Sequence, residues 1–179
     1  MKTISKFILY NLLGWKVENG FPDTPKKYII IAAPHTSWID FPIAILARMS
    51  EGKMVHFIGK DVLFKGPFGF FFRALGGTPV DRSKSTNTVD AIINLFNSKE
   101  EFRLGLSPEG TRKKVDKWKT GFYYIAKGAN VPIVMATLDF ENKKVKIATP
   151  YYVTEDIKQD FKVFDSFYKG VKGKNRELS

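Results

Sequence analysis

Six consecutive apolar residues, Tyr28-Ile29-Ile30-Ile31-Ala32-Ala33, constrain this chain more than any other stretch. An uninterrupted apolar run of that length reads as a buried strand. Behind it stands Pro34-His35-Thr36-Ser37-Trp38-Ile39-Asp40, and then Phe41-Pro42-Ile43-Ala44-Ile45-Leu46-Ala47, which reads as a helix with proline in its first turn. An imidazole and a carboxylate therefore follow one another just past the end of a strand. The five-residue step between them would turn through roughly 500° of helix, so they would not share a helical face. They meet only if His35 lies in the loop and Asp40 near the start of the helix, where they form a proton-transfer pair. Taken alone, Asp40 also suits the helix cap, and a lone histidine after a strand is more often structural. The cap and the pair are compatible roles for Asp40.

The rest of the chain alternates in the same way. Residues 1–14 form an amphipathic N-terminal segment with Ile4, Phe7, Ile8 and Leu12 at helical spacing. Its two readings are a helix lying on a membrane and a first helix packed on the domain. Residues 15–25, with Gly20, Pro22 and Pro25, read as a connection into the first strand. A helix over 40–50 ends near Glu51-Gly52, and a second strand runs over 53–58 with His56 inside it as a partly buried histidine. In the Phe-rich stretch 63–73, Phe68, Phe71 and Phe72 can line one face of a short helix with Leu75. Such a face suits core packing, an acyl-chain pocket, or a surface that dips into lipid. Gly76 to Arg82 reads as a tight turn into a short strand. Val89, Ile92, Ile93 and Phe96 form the apolar face of the next helix. A strand over 102–106 delivers Ser107-Pro108-Glu109-Gly110-Thr111-Arg112. A helix over 119–127 follows, then a strand over 131–140, a hairpin turn at Glu141-Asn142, and a returning strand over 143–148. A last helix spans 154–169, and the basic tail 171–179 reads as mobile. The expectation is one α/β domain over 15–170, a sandwich with a mixed, largely parallel central sheet flanked by helices. In such sheets ligands collect beyond the carboxyl ends of the strands. His35…Asp40, Gly76…Arg82 and Ser107…Arg112 all lie at or just past predicted strands.

Composition narrows the chemistry. The net charge of +11 points to an anionic partner. The absence of cysteine removes disulfides, thiolate metal sites and a cysteine nucleophile, and fits a reducing, cytoplasmic setting. Two histidines without an H-E-x-x-H pattern leave little for a zinc site, so no metal and no tightly bound cofactor is expected. The lysines and arginines are scattered and the phenylalanines sit in apolar runs, which argues against a nucleic-acid-binding module. Neither GxGxxG nor a Walker A sequence occurs. Glu109 stands where the G-x-S-x-G elbow needs its last glycine, which disfavours a Ser107 nucleophile. Ser37 is a weaker nucleophile candidate.

What remains is His35 as a base acting directly on a substrate hydroxyl. Asp40 would hold the ring tautomer and stabilise the imidazolium. Arg82 and Arg112 suit an anionic group such as phosphate, which arginine grips with two parallel hydrogen bonds. Taken singly, each arginine also reads as a solvated surface charge. Gly110 and Thr111 would add close backbone approach and a hydroxyl, with Glu109 orienting an arginine or the loop backbone. The same base acting on water would give a hydrolase.

These residues resemble a known family, the glycerolipid acyltransferases related to bacterial 1-acylglycerol-3-phosphate acyltransferases. His35-Thr36-Ser37-Trp38-Ile39-Asp40 matches their H-x-x-x-x-D motif. Gly77-Thr78-Pro79-Val80-Asp81-Arg82 resembles the second motif, and Ser107-Pro108-Glu109-Gly110-Thr111-Arg112 the third, the P-E-G-T-R signature. Val131-Pro132-Ile133 resembles the fourth, a proline on a strand that lines the acyl site. The resemblance implies a glycerol-3-phosphate acyltransferase-like fold. It implies acyl transfer from an acyl thioester, on coenzyme A or an acidic acyl carrier protein, to the free hydroxyl of a lysolipid. 1-Acylglycerol-3-phosphate is the expected acceptor, with a non-glycerol lipid such as an acylated amino acid as the alternative. By position, the resemblance makes His35 the base and Asp40 its partner. Arg82, Glu109, Gly110, Thr111 and Arg112 become the acceptor-binding set, and Lys60 a lysine near the acceptor phosphate. Family members commonly carry a longer N-terminal hydrophobic region. Attachment to the inner face of an anionic membrane is then expected from the short first helix, the Phe-rich stretch and basic charge, each lysine or arginine contributing roughly 1 kcal/mol.

Overall fold

The computed structural model describes residues 1–60, 62–80 and 85–179. Five parallel strands form the central sheet: β2 (Lys27–Ala33), β3 (His56–Lys60), β4 (Gly77–Val80), β5 (Phe102–Leu106) and β6 (Ile133–Thr137), in the order β4-β3-β5-β2-β6. The apolar run of the sequence is β2, which lies between β5 and β6. Ile29 stands opposite Leu104 on one side and Ile133 on the other.

Strand alternation divides the core in two. Ile29 and Ile31 of β2, Leu104 of β5 and Ile133 and Met135 of β6 point to one face. There they meet Ile92 and Phe96 of α5 (Ser85–Asn97), Phe122 and Ile125 of α6 (Gly121–Ala129) and Phe164 of α7 (Ile157–Tyr168). Tyr28 and Ile30 of β2 and Val134 and Ala136 of β6 point to the other face. That face is covered by Ile43 and Ala47 of α2 (Asp40–Ser50) and by Leu9, in the π-helical turn that continues α1 (Lys2–Phe7). A strand apolar on every residue is what burial on both faces requires.

Several expectations need correction. Residues 15–25 are more than a connection: β1 (Lys16–Glu18) pairs in parallel with β7 (Lys144–Lys146) as a separate two-stranded sheet. The return after Glu141-Asn142 keeps only isolated antiparallel bridges to the preceding strand, Asp139 with Lys144 and Ala136 with Ile147. The Asp139 carboxylate accepts the N–H groups of Glu141 and Asn142 and so builds the turn, after which the chain leaves β6 for β1. The second strand begins at His56 rather than Lys53, because Lys53 donates its N–H to Arg48 O at the exit of α2.

The Phe-rich stretch forms α3 (Val62–Lys65) and α4 (Gly69–Ala74). Phe64 is buried there, while Phe68, Phe70 and Phe71 are exposed. Phe64 packs so tightly on Gly77 that a Cβ added at Gly77 would lie 2.7 Å from its ring. In α1, Ser5 faces the domain and Met1, Ile4 and Phe7 face outward. The basic tail, expected to be mobile, folds back on the domain, where Lys172 O accepts the N–H of Phe140 at 2.8 Å.

α7 is pinned at both ends. The Tyr168 hydroxyl donates to Ile31 O and accepts the N–H of Ala136 at 3.1 Å, joining β2 to β6. Near the other end, buried Asp160 accepts from Tyr151 Oη at 2.6 Å and from the N–H and hydroxyl of Thr154 at 2.8 and 3.0 Å. Burial alone would raise the Asp160 pKa, but these hydrogen bonds outweigh it and hold the carboxyl below its ordinary value. Asp160→Ala is expected to lower the unfolding free energy by about 2 kcal/mol in urea titrations near neutral pH, because three part-buried donors on Tyr151 and Thr154 lose their acceptor. The depressed folded pKa stabilises above the unfolded value of about 3.9. That stabilisation is lost as pH falls through the lower folded value. The gap between variant and wild type should therefore narrow on acidification, and a constant gap down to about pH 2 would contradict this linkage.

Candidate active site

β2 ends at Ala33, and the Ala33–Pro34 peptide is cis. His35 lies in the loop that follows, and Asp40 is the first residue of α2. Because side chains tilt toward the helix N-terminus, the Asp40 carboxylate reaches back over the loop. Its Oδ2 atom lies 2.8 Å from His35 Nδ1. The same oxygen accepts the N–H groups of Thr36 and Ser37, each at 2.8 Å. Asp40 is only 1% exposed, and its Oδ1 has no hydrogen-bond partner.

The cap role considered for Asp40 is not what the structure contains. Ile39 occupies the N-cap, and no side chain caps the helix. The carboxylate is used on the loop, so its work is local organisation of the segment carrying the base. Ser37 is likewise engaged locally, with its hydroxyl accepting the N–H of Ile39 at 3.3 Å. With Nδ1–H committed to Asp40, the lone pair of neutral His35 is on Nε2. The ring is partly exposed and lines a cavity.

Glu109 follows β5 and joins the two neighbouring loops. Its Oε2 accepts the His35 N–H at 2.7 Å and the Ser107 hydroxyl at 3.2 Å. Among the described residues it meets the loop-backbone role expected of it, and that backbone belongs to the histidine loop. Burial pushes its pKa up against the opposing effect of those hydrogen bonds. Gly110, at φ +66°, turns the chain with Lys119 against it. Thr111 Oγ1 accepts the N–H of Lys113 at 3.3 Å, and Arg112 is exposed.

Gly110, Thr111 and Arg112 line the same cavity as His35 and Asp40. Lys60 ends β3, and Arg82 lies outside the described residues. Val131-Pro132-Ile133 does not line the cavity. Pro132 O accepts the Ile29 N–H at the amino end of the parallel strands, away from the loops that hold the site. β6 contributes Ala136 instead, with Leu138 just beyond it.

The cavity has a volume of about 570 Å³ and runs between α2 and the sheet. Its space comes from small residues on both walls: Ala32, Gly105 and Ala136 on the sheet side, Ala44 and Ala47 on the helix side. Phe41 and Phe57, ring centroids 4.9 Å apart, line the same space. The exposed phenylalanines of α4 do not line it, which corrects the acyl-pocket reading of that stretch. His56 lines the cavity as well, and burial lowers its pKa. His56 is level with Leu104 and hence with Ile29, about 13 Å along the strand direction short of Ala33, where β2 ends and the His35 loop begins. It therefore takes no part in the pair. Ala32 near the end of β2 and Ala44 and Ala47 on α2 were the sequence signal for the cavity, and it is recognisable only once the facing elements are known. Among the described residues no cluster of metal-ligating side chains occurs, and no helix is long and apolar enough to cross a membrane.

Known proteins agree with this architecture. The family model described as Acyltransferase matches residues 16–138, from β1 through the end of the cavity wall. A 1-acyl-sn-glycerol-3-phosphate acyltransferase of Streptococcus pneumoniae is 34% identical over 70% of this chain and 50% of its own length. One of Haemophilus influenzae is 25% identical over 78% of this chain. The chain spans about 60% of the length of that relative. The crystal structure of the 1-acyl-sn-glycerophosphate acyltransferase PlsC from Thermotoga maritima superposes with a TM-score of 0.64. It is 20% identical, with 94% of this chain and 76% of the other covered, a likeness of fold. With the histidine–aspartate pair, the P-E-G-T-R loop and the parallel sheet in one arrangement, the chain belongs to the acyltransferase family.

Proposed function

We propose that this protein transfers a fatty acyl group from an acyl thioester to the free hydroxyl of a lysolipid, with 1-acylglycerol-3-phosphate as the acceptor. The observation that carries this reading is the 2.8 Å contact between His35 Nδ1 and a buried Asp40 oxygen at the mouth of an apolar cavity. His35 Nε2 takes the proton of the acceptor hydroxyl, and the oxygen attacks the thioester carbonyl. The tetrahedral intermediate collapses, the carbon–sulfur bond breaks, and the departing sulfur receives the proton from Nε2. Asp40 keeps the tautomer and offsets the imidazolium charge while it exists. The apolar cavity suits an acyl chain, and Arg112 at its edge suits the acceptor phosphate. Lys60 and Arg82 belong to the same phosphate-binding set, and Glu109, Gly110 and Thr111 shape the loop that presents Arg112.

The donor in this reading is acyl-coenzyme A or acyl carrier protein, and the net charge of +11 favours an acidic donor and an anionic membrane. The enzyme then works peripherally on the cytoplasmic face of the membrane. Residues 1–14 and the exposed Phe68, Phe70 and Phe71 provide its lipid contacts, and 15–170 form the acyltransferase domain.

Incubation with a labelled acyl thioester and a panel of lysolipids tests the function. Product from 1-acylglycerol-3-phosphate is expected, and thioester turnover that needs no acceptor would identify a hydrolase instead. Asp40→Asn is expected to lower kcat by about a hundredfold or more, with the melting temperature close to that of the wild type. Normal turnover in a folded variant would remove Asp40 from the mechanism. Arg112→Lys should raise the acceptor KM about tenfold through loss of the forked contact, leaving the donor KM alone. Unchanged acceptor kinetics would reject that role.

A further inference from the structure

Thr36, the residue after the base, is 3% exposed although its side chain and peptide are polar. Its N–H goes to Asp40, but its carbonyl and hydroxyl are turned away from that carboxylate. Both are taken by the C-terminal tail. Asn175 Nδ2 donates to Thr36 O at 2.9 Å, and the Asn175 N–H donates to Thr36 Oγ1 at 3.1 Å. Gly173 lies so close that a Cβ there would fall 2.6 Å from Thr36 Oγ1 and 2.8 Å from Thr36 Cγ2.

The tail is anchored independently of these contacts. Lys172 O accepts the Phe140 N–H at 2.8 Å and Arg176 lies 3.2 Å from the Glu141 carboxylate, while Gly173 N donates to Ser179 Oγ at 2.8 Å within the tail. The Thr36 peptide is thus clamped from two directions, by α2 on its nitrogen side and by the tail on its oxygen side. We propose that Gly173–Asn175 is a positioning element of the active site, with Asn175 as the positioning residue that holds the His35 loop in the arc that closes Nδ1 onto Asp40. This rests on the acyl-transfer reading for its catalytic consequence, while the effect on the ring is independent of it. Asn175 touches neither substrate nor the reacting atoms. It acts by denying the loop the alternative conformations in which the imidazole would leave Asp40, and small misplacements of a catalytic group are costly in rate.

Three variants of the full chain test this beside the wild type. Asn175→Ala removes the side-chain donor. Asn175→Asp keeps the shape but opposes an acceptor to Thr36 O, and Gly173→Ala forces the tail off Thr36. Each is expected to lower kcat about tenfold with both KM values unchanged. Ring nitrogen-15 NMR adds a readout that needs no substrate. In the wild type His35 should be a single tautomer protonated on Nδ1, and in the variants a mixture, while His56 serves as the internal reference and stays unchanged. Wild-type kcat together with a wild-type His35 tautomer in all three variants overturns the proposal. So does a loss of activity that comes with altered His56 signals and a lower melting temperature, since that marks general destabilisation. If the wild type transfers no acyl group at all, the functional reading fails, and the His35 signals alone decide whether the tail positions the ring.

Discussion

A single oxygen atom organises the site. Asp40 Oδ2 receives the imidazole of His35 and the N–H groups of Thr36 and Ser37, all at 2.8 Å. Burying an ionised carboxylate is unfavourable unless donors converge on it. Here the donors are the loop itself, so the cost of burial is offset only when the loop has its working shape. The carboxylate can reach the loop because it stands on the first residue of α2 and leans toward the preceding turn. The histidine can reach the carboxylate because Glu109, from the neighbouring strand, holds its backbone N–H at 2.7 Å. Histidine, carboxylate and brace thus come from the loop after β2, the start of α2 and the loop after β5.

The sheet supplies the second requirement, a space beside the base. Parallel strands place the ends of β2 and β5 side by side, so that His35 and Glu109 meet although 74 positions separate them in sequence. The face of the sheet under α2 packs Tyr28, Ile30 and Val134 in a core of its own, but small residues at Ala32, Gly105 and Ala136 leave space beside it, whereas the opposite face carries Ile29, Ile31 and Leu104 under Phe164 of α7 and is filled. One face is therefore packed throughout, and the other combines a core with a cavity. Helix α2 serves both purposes, presenting Asp40 at its start and the alanines of the cavity wall along its length.

Much of this was legible in the residues. The unbroken apolar run of β2 required neighbours on both sides and cover on both faces, and the structure provides them. The separation of His35 from Asp40 demanded a loop followed by a helix start, and the pair closes there. Other features depart from local expectation for identifiable reasons. Cap preference, which is local, suits Asp40 to a helix cap beside its pairing with His35, but the direction of its side chain sends the carboxylate to the loop and leaves the cap position to Ile39. Pro132 was placed at the acyl site by motif position, yet it stands at the amino end of β6, the end of a parallel sheet opposite the loops. The Phe-rich stretch suits core, pocket or lipid surface by pattern alone, and in the structure Phe64 of α3 packs on Gly77 while Phe68, Phe70 and Phe71 are exposed.

The sequence by itself determined the kind of fold, the residues of the histidine–aspartate pair and the order in which the motifs follow the strands. Those are properties of local pattern, of apolar run length, periodicity and the chemistry of neighbouring side chains. Only the tertiary structure decided that Glu109 holds the histidine backbone, that alanines and a glycine facing one another leave a cavity, and that the tail closes on Thr36. Each of these joins residues far apart in the chain through one or two hydrogen bonds or a missing side chain. Contacts of that kind leave no periodic trace in the sequence, and they arise from where the folded elements bring their ends together.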